Sequence, residues 1–239
     1  MTPSPRPGEE PGPRPSRGQS LPAALWPLAG LRVTCDAIEL RVPSDADLAA
    51  LASVAPDDLD LDPSLPATPT VAGGVLRHVW RARAELSPQD WRLCFVVLVD
   101  GRVAGEQDLD ARQFARRRIV ETSSWLAPAY RGRGIARAMR AMVLHLAFTG
   151  IDAVAAESET VEGADAALGV SRSLGYGPCG DTYVVTADDR VEHRLWSRLT
   201  RQRWELARQG YGLGEIQVDG LAECLSMLGI GPAGGAATH

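Results

Sequence analysis

Apolar positions change their period along the 239 residues, and each change predicts an element. Trp91 to Val99 is an almost unbroken apolar run, and Arg102 to Leu109 answers it. Asp100-Gly101 between them supplies the positive φ angles of a tight turn, so the pair reads as a β-hairpin. Leu31 to Val42 has β-branched residues and partial alternation, which predicts a strand or a hairpin. Pro43-Ser44-Asp45 leads into a short helix over Ala46 to Val54. Val71 to Leu86 reads as a further helix with Val75, Val79 and Trp80 on one face. Ile119 to Leu126 predicts a strand, Arg137 to Phe148 a helix closed by Gly150, and Ile151 to Glu157 a returning strand, a unit that favours a parallel crossover. Ala164 to Leu174 is helical and ends at Gly175-Tyr176; strands follow at Thr182 to Ala187 and Val191 to Leu199. Past Arg201 come a helix around Trp204, an extended piece at Ile216 to Val218 and a helix over Leu221 to Leu228.

The chemistry concentrates where strand gives way to helix, in Trp125-Leu-Ala-Pro-Ala-Tyr-Arg-Gly-Arg-Gly-Ile-Ala136. Gly132 and Gly134 let the loop amides converge, while the unpaired N–H groups and dipole of the first helical turn favour phosphate. Arg131 and Arg133 add positive charge. A phosphate loop of the Walker type requires Gly-x-x-x-x-Gly-Lys-Ser/Thr, and a dinucleotide fingerprint requires Gly-x-Gly-x-x-Gly. This loop fits neither.

Composition narrows the classes further. Hydrophobic residues make up 45% of the chain, normal for a globular core. The chain contains no lysine, which excludes a lysine nucleophile or Schiff base. A net charge of −5 argues against a general nucleic-acid binder, and the local run Arg112, Arg116, Arg117, Arg118 reads as a solvated face. Asp57, Asp58, Asp60 and Asp62 read as a solvated loop. Cys35, Cys94, Cys179 and Cys224 have no short paired spacing, so neither a disulfide framework nor a metal site is expected, and reduced thiols in the cytoplasm fit best. No apolar run approaches the roughly 20 residues that span a bilayer, and Met1 to Ser20 has no apolar centre for a signal peptide. Residues 1–28, rich in Pro and Arg, are expected to be a disordered tail. A domain over 29–200 and a helical extension over 201–239 packed on it complete the expected organisation.

Ser124-Trp125-Leu126, Arg131-Gly-x-Gly-Ile135, Leu144-x-Leu-Ala-Phe148, Val170-Ser-Arg172 and Leu174-Gly-Tyr176, in this order of elements, resemble the GNAT superfamily of acyl-CoA-dependent N-acyltransferases. Within it they resemble the branch of ribosomal-protein N-terminal acetyltransferases of RimJ/RimL type. The resemblance covers about residues 31–200. It implies a mixed α/β GNAT fold: a mostly antiparallel central sheet of about seven strands, splayed in the middle and flanked by helices. The pantothenate arm of acetyl-CoA or another acyl-CoA would enter the splay and pair with the backbone of Ser124, Trp125, Leu126 and Ala127. Arg131, Gly132, Arg133, Gly134, Ile135 and Ala136 would hold the pyrophosphate. An amine of a small molecule, peptide or protein would attack the thioester directly, and a backbone N–H of the strand before the glycine loop would stabilise the oxyanion. No metal, nucleic acid or membrane is implied, and a homodimer is compatible with the class.

Glu121 and Glu157, on the strands bordering the expected gap, are the candidate general bases, each equally readable as a salt-bridged carboxylate. Ser171 stands where many relatives carry a tyrosine acid, and is the candidate proton donor to the leaving thiolate. Relatives commonly begin this helix with Asn-x-x-Ser; here the positions read Ala164-Asp-Ala-Ala167, and Ser171 lies one turn beyond Ala167 on the same face. Two readings therefore stand: an N-acyltransferase, or a GNAT-fold module that binds CoA or a partner with little or no catalysis.

Overall fold

The structure, a computed structural model, describes residues 23–59, 68–186 and 189–231. Most of the expected N-terminal tail, Asp60 and Asp62 lie outside them. In chain order the elements are β1 (Arg32–Cys35), β2 (Ile38–Arg41), α1 (Asp45–Val54), α2 (Val71–Ala84), β3 (Asp90–Val99), β4 (Arg102–Arg112), α3 (Phe114–Arg117), β5 (Ile119–Leu126), α4 (Ile135–His145), β6 (Ala155–Val161), α5 (Asp165–Ser173), β7 (Gly177–Val185), β8 (Val191–Thr200), α6 (Arg201–Ala207), β9 (Gln217–Asp219) and α7 (Leu221–Cys224).

The strands form one mixed sheet in the order β7-β8-β6-β5-β4-β3-β2-β1-β9. Every neighbouring pair is antiparallel except β5 and β6, which the crossover through α4 makes parallel. Asp100 and Gly101 turn the β3–β4 hairpin with φ of 51° and 71°, as the Asp-Gly pair requires. Nine strands replace the expected seven or so. Leu31 to Val42 resolves into the hairpin β1–β2, and the piece around Val218 becomes β9 by pairing Arg32 with Asp219 and Val33 with Val218. Three residues of strand are not stable alone; the open edge of β1 makes them one.

Helices cover both faces of the sheet. On one, α4 buries Ile135, Met139, Met142 and Val143 against β4 and β5, and the tilted rings of Phe148 and Trp204 pack beyond it with centroids 5.0 Å apart. On the other, α1 and α2 cover Val96, Leu98 and Val103 with Leu51 and Val75. Ser44 caps α1 through a full capping box with Asp47. Trp80 departs from expectation: it is 54% exposed while Val75 and Val79 are 1% exposed. One residue past Val79 is about 100° further round a helix, enough to leave the buried stripe. The returning strand also starts later than expected. The helical path runs on through a wide π turn over Leu146–Gly150, and Asp152 adopts φ 59°, so pairing begins only at Ala155.

Gly105 of β4 lies so close to β5 that a Cβ there would sit 2.2 Å from the Trp125 carbonyl oxygen and 2.9 Å from Leu126 Cα. Both are backbone atoms, which cannot swing aside. Gly105→Ala should therefore lower stability by about 3 kcal/mol, read as a lower urea midpoint at unchanged m value. A midpoint within error of wild type would mean that the two strands part freely here.

Candidate active site

The parallel pairing of β5 with β6 lasts three rungs: Ile119 with Ala155, Val120 with Ala156, Glu121 with Glu157. Beyond it each strand stays bound to its outer neighbour, β5 to β4 as far as Leu126–Gly105 and β6 to β8 as far as Val161–Arg194. The two strands thus part as a wedge, the splay implied by the family resemblance. Thr122 Oγ1 lies 3.3 Å from the Glu157 carbonyl oxygen at its apex and 3.2 Å from the Tyr176 hydroxyl. Past Glu121 the inner edge of β5, including Ser124 and Trp125, has no strand partner among the described residues. Such an edge can accept an extended chain by backbone hydrogen bonds.

The glycine loop closes one end of the wedge. Gly132 and Gly134 adopt φ of 69° and 79°, and Gly134 is the N-cap of α4 with no side chain capping the helix. The amides of Ile135 and Ala136 consequently have no intrahelical acceptor. Arg131 Nε donates to the Leu126 carbonyl at 2.9 Å, bracing the loop against the end of β5, while Arg133 lies over the Tyr130 ring at 5.6 Å and donates to the Ala129 carbonyl. Ala127 N–H donates to the Ala104 carbonyl, which points that backbone group away from the wedge.

The candidate catalytic side chains divide between the two faces, as alternation along β5 dictates. Ser171 and Ser124 meet on the α4 face. Arg140, 6% exposed, donates to Ser171 Oγ at 2.9 Å and to Ser124 Oγ at 3.2 Å. Among the described residues no carboxylate pairs with this guanidinium, its Nε has no partner, and burial lowers its pKa. Sequence reasoning missed Arg140. The signal was its place four residues after Ala136 and four before Leu144, inside the buried stripe of an amphipathic helix.

Glu121 and Glu157 meet on the opposite face, in a cleft of about 500 Å³ between α2 and β8. Asp110, Glu159, Arg92 and His78 also line it. Burial, with the neighbouring Glu159 and Glu157 charges, raises the Glu121 pKa against the opposing pull of Arg92 and Arg112. Glu157 accepts from Arg198 Nε at 2.8 Å. Burial drives Asp110 up to about 7 although Arg92 is bonded to it. Behind the cleft lies a second group that sequence reasoning missed: His78, Cys94, Glu106 and Asp108. Burial and the Asp108 charge push Glu106 up to about 8. Burial alone would lower His78, but Asp108 overrides it and lifts the imidazole to about 9. Trp125 donates its indole N–H to Glu106 Oε2 at 2.8 Å.

A wedge between parting parallel strands, with an uncapped glycine-bounded helix N-terminus at its mouth, is the architecture of a GNAT-fold acyltransferase domain. The family model of the acetyltransferase (GNAT) domain matches residues 37–177, more than half of the chain, and the chain belongs to this family. Among solved structures, Mycobacterium smegmatis RimJ in complex with CoA-disulfide superposes with TM-score 0.60 at 22% identity, covering 84% of this chain and 95% of that one. A GCN5-related N-acetyltransferase from Brucella melitensis gives 0.61 at 16%, covering 85% and 88%. The ribosomal-protein-S5-alanine acetyltransferase from Vibrio fischeri gives 0.57 at 14%, covering 72% and 98%. At these identities the likeness is one of fold. No helix among the described residues is long and apolar enough to cross a membrane.

Proposed function

We propose that the protein is an N-acyltransferase that moves an acyl group, acetyl in the first instance, from acyl-CoA to a primary amine of a peptide, protein N-terminus or small molecule. The observation that carries this reading is the wedge itself: an unpaired β5 edge leads from the uncapped α4 N-terminus to polar side chains on both faces of the sheet. Acyl-CoA would lie along β5 with its pyrophosphate on the amides after Gly134 and its thioester near Ser124. The amine approaches from the cleft that Glu121, Glu157, Glu159 and Asp110 line.

Glu121 suits the general base better than Glu157, because Glu157 is held by Arg198 whereas the raised Glu121 is the better match to an amine proton. The neutral amine nitrogen attacks the thioester carbon, and collapse of the tetrahedral intermediate breaks the C–S bond. The proton from nitrogen passes to Glu121, and the thiolate leaves on the α4 face. There Ser171 accepts from Arg140, which leaves the serine proton directed at the sulfur, and the buried guanidinium favours the negative charge. Ser171→Ala should lower kcat about 10-fold with CoA affinity unchanged, measured by thiol release. Full turnover would remove Ser171 from the reaction.

The reading is tested by incubating the purified protein with acetyl-CoA and a panel of amines. Free thiol should appear together with an N-acylated amine, identified by mass spectrometry. CoA binding without thiol release from any acceptor would establish the non-catalytic alternative that Ala164 and Ala167 raise.

A further inference from the structure

His78, Cys94, Glu106 and Asp108 each present a ligand atom, and the four atoms lie within 4.8 Å of one another. Three elements bring them together. Cys94 and Asp108 are directly opposite across the β3–β4 pair, Glu106 stands two residues before Asp108 on the same face of β4, and His78 comes down from α2. Cys94, Glu106 and Asp108 are 5%, 3% and 4% exposed. Polar atoms at this depth are normally all paired, since each orphan forfeits its hydration without replacement. The pairing here is incomplete. His78 Nε2 meets Asp108 Oδ2 at 2.8 Å, Ser123 Oγ reaches the same oxygen at 3.4 Å and the Trp125 indole meets Glu106 Oε2, but among the described residues Glu106 Oε1 and Asp108 Oδ1 have no hydrogen-bond partner. Two neighbouring buried carboxylates, each with an orphan oxygen and sharing their surroundings with an imidazole and a thiol, match the needs of a cation.

We propose that His78, Cys94, Glu106 and Asp108 form a four-ligand zinc site. A thiolate, an imidazole and two carboxylates are the donors that zinc takes, and four protein ligands close its tetrahedron. Ligand atoms of a tetrahedral zinc stand about 3.5 Å apart, so the group contracts by small side-chain rotations. Binding replaces the His78–Asp108 contact with two metal bonds and releases the Cys94 thiol proton, with any proton on His78 and Glu106, to solvent. Three anionic ligands around a 2+ ion leave one negative charge, which Arg92 on the same face of β3 offsets. His78 also lines the cleft, so the ion reaches the site from there. With no open position the site is structural. It ties α2 to the β3–β4 hairpin and, through Glu106, fixes Trp125 beside the inner edge of β5.

The test needs no acyl transfer. Full-length protein stripped with a chelator and dialysed is titrated with zinc sulfate by calorimetry and with cobalt chloride by absorbance. The expected result is one equivalent of zinc at a Kd below about 1 μM, a raised Tm, and a thiolate-to-cobalt charge-transfer band. The band should persist in Cys35→Ser/Cys179→Ser/Cys224→Ser, which leaves Cys94 as the sole thiol. His78→Gln and Cys94→Ser, checked for folding by circular dichroism, should each weaken zinc at least about 100-fold. Binding of less than about 0.1 equivalent to the folded wild-type protein at saturating zinc would overturn the proposal. So would loss of the band in the triple variant with wild-type circular dichroism, or zinc affinity unchanged in the folded His78→Gln protein.

Discussion

CoA binding should be lost in the double variant Arg131→Glu/Gly134→Asp while the protein stays folded. Gly134 is the N-cap of α4, and a Cβ there meets nothing within 4 Å, so the side chain enters open space. Its φ of 79° is a conformation that Asp tolerates better than most residues. An Asp carboxylate at an N-cap accepts from the amides of the first turn. It would therefore occupy the anion site from within and repel a pyrophosphate. Arg131→Glu removes the brace to the Leu126 carbonyl and puts a second negative charge at the mouth of the wedge. The expected increase in Kd is at least about 100-fold, or about 2.7 kcal/mol, by calorimetry with CoA, with Tm lowered by only a few degrees. An unchanged Kd would place the pyrophosphate elsewhere.

Glu121→Gln should lower kcat by about 100- to 1,000-fold and leave CoA affinity unchanged, because Glu121 faces the cleft and not the α4 face. Its pH behaviour follows from the raised pKa, caused by burial and the nearby Glu159 charge. The basic form exists above that pKa, so wild-type kcat/KM should fall as pH drops through it. The variant should lack that limb, and Glu159→Gln should move it to lower pH. Stability runs the opposite way. A carboxyl whose folded pKa is raised contributes stability below its unfolded pKa and loses it as pH rises through the folded one. Glu121→Gln should accordingly be at least as stable as wild type at pH 8, by thermal melting. An acidic limb retained in the glutamine variant would show that another group accepts the proton.

Much of the scaffold was legible because it is local. The Asp100-Gly101 turn, the glycine loop before α4 and the helix caps depend on residues within a few positions of one another, and the structure places them where their chemistry requires. Trp80 leaves the expected apolar face by a single step of helical phase, and β9 is not legible as a strand because three residues acquire that state only at the edge of β1. The strands that carry Glu121 and Glu157 are legible, but the difference between the two carboxylates is not visible in the sequence. Arg198, 41 residues from Glu157 in sequence, decides which of the two is tied down.

By itself the sequence determined most of the order of elements, the glycine loop that opens α4 and the family, since these rest on spacing within short segments. Tertiary structure alone decided the rest of the chemistry. It brought Arg140 of α4 between Ser124 and Ser171, separated those residues from Glu121 by the thickness of the sheet, and gathered His78, Cys94, Glu106 and Asp108 from three elements. The reason is physical. Short-range spacing controls backbone conformation, but burial and charge pairing depend on which distant strands and helices share a face.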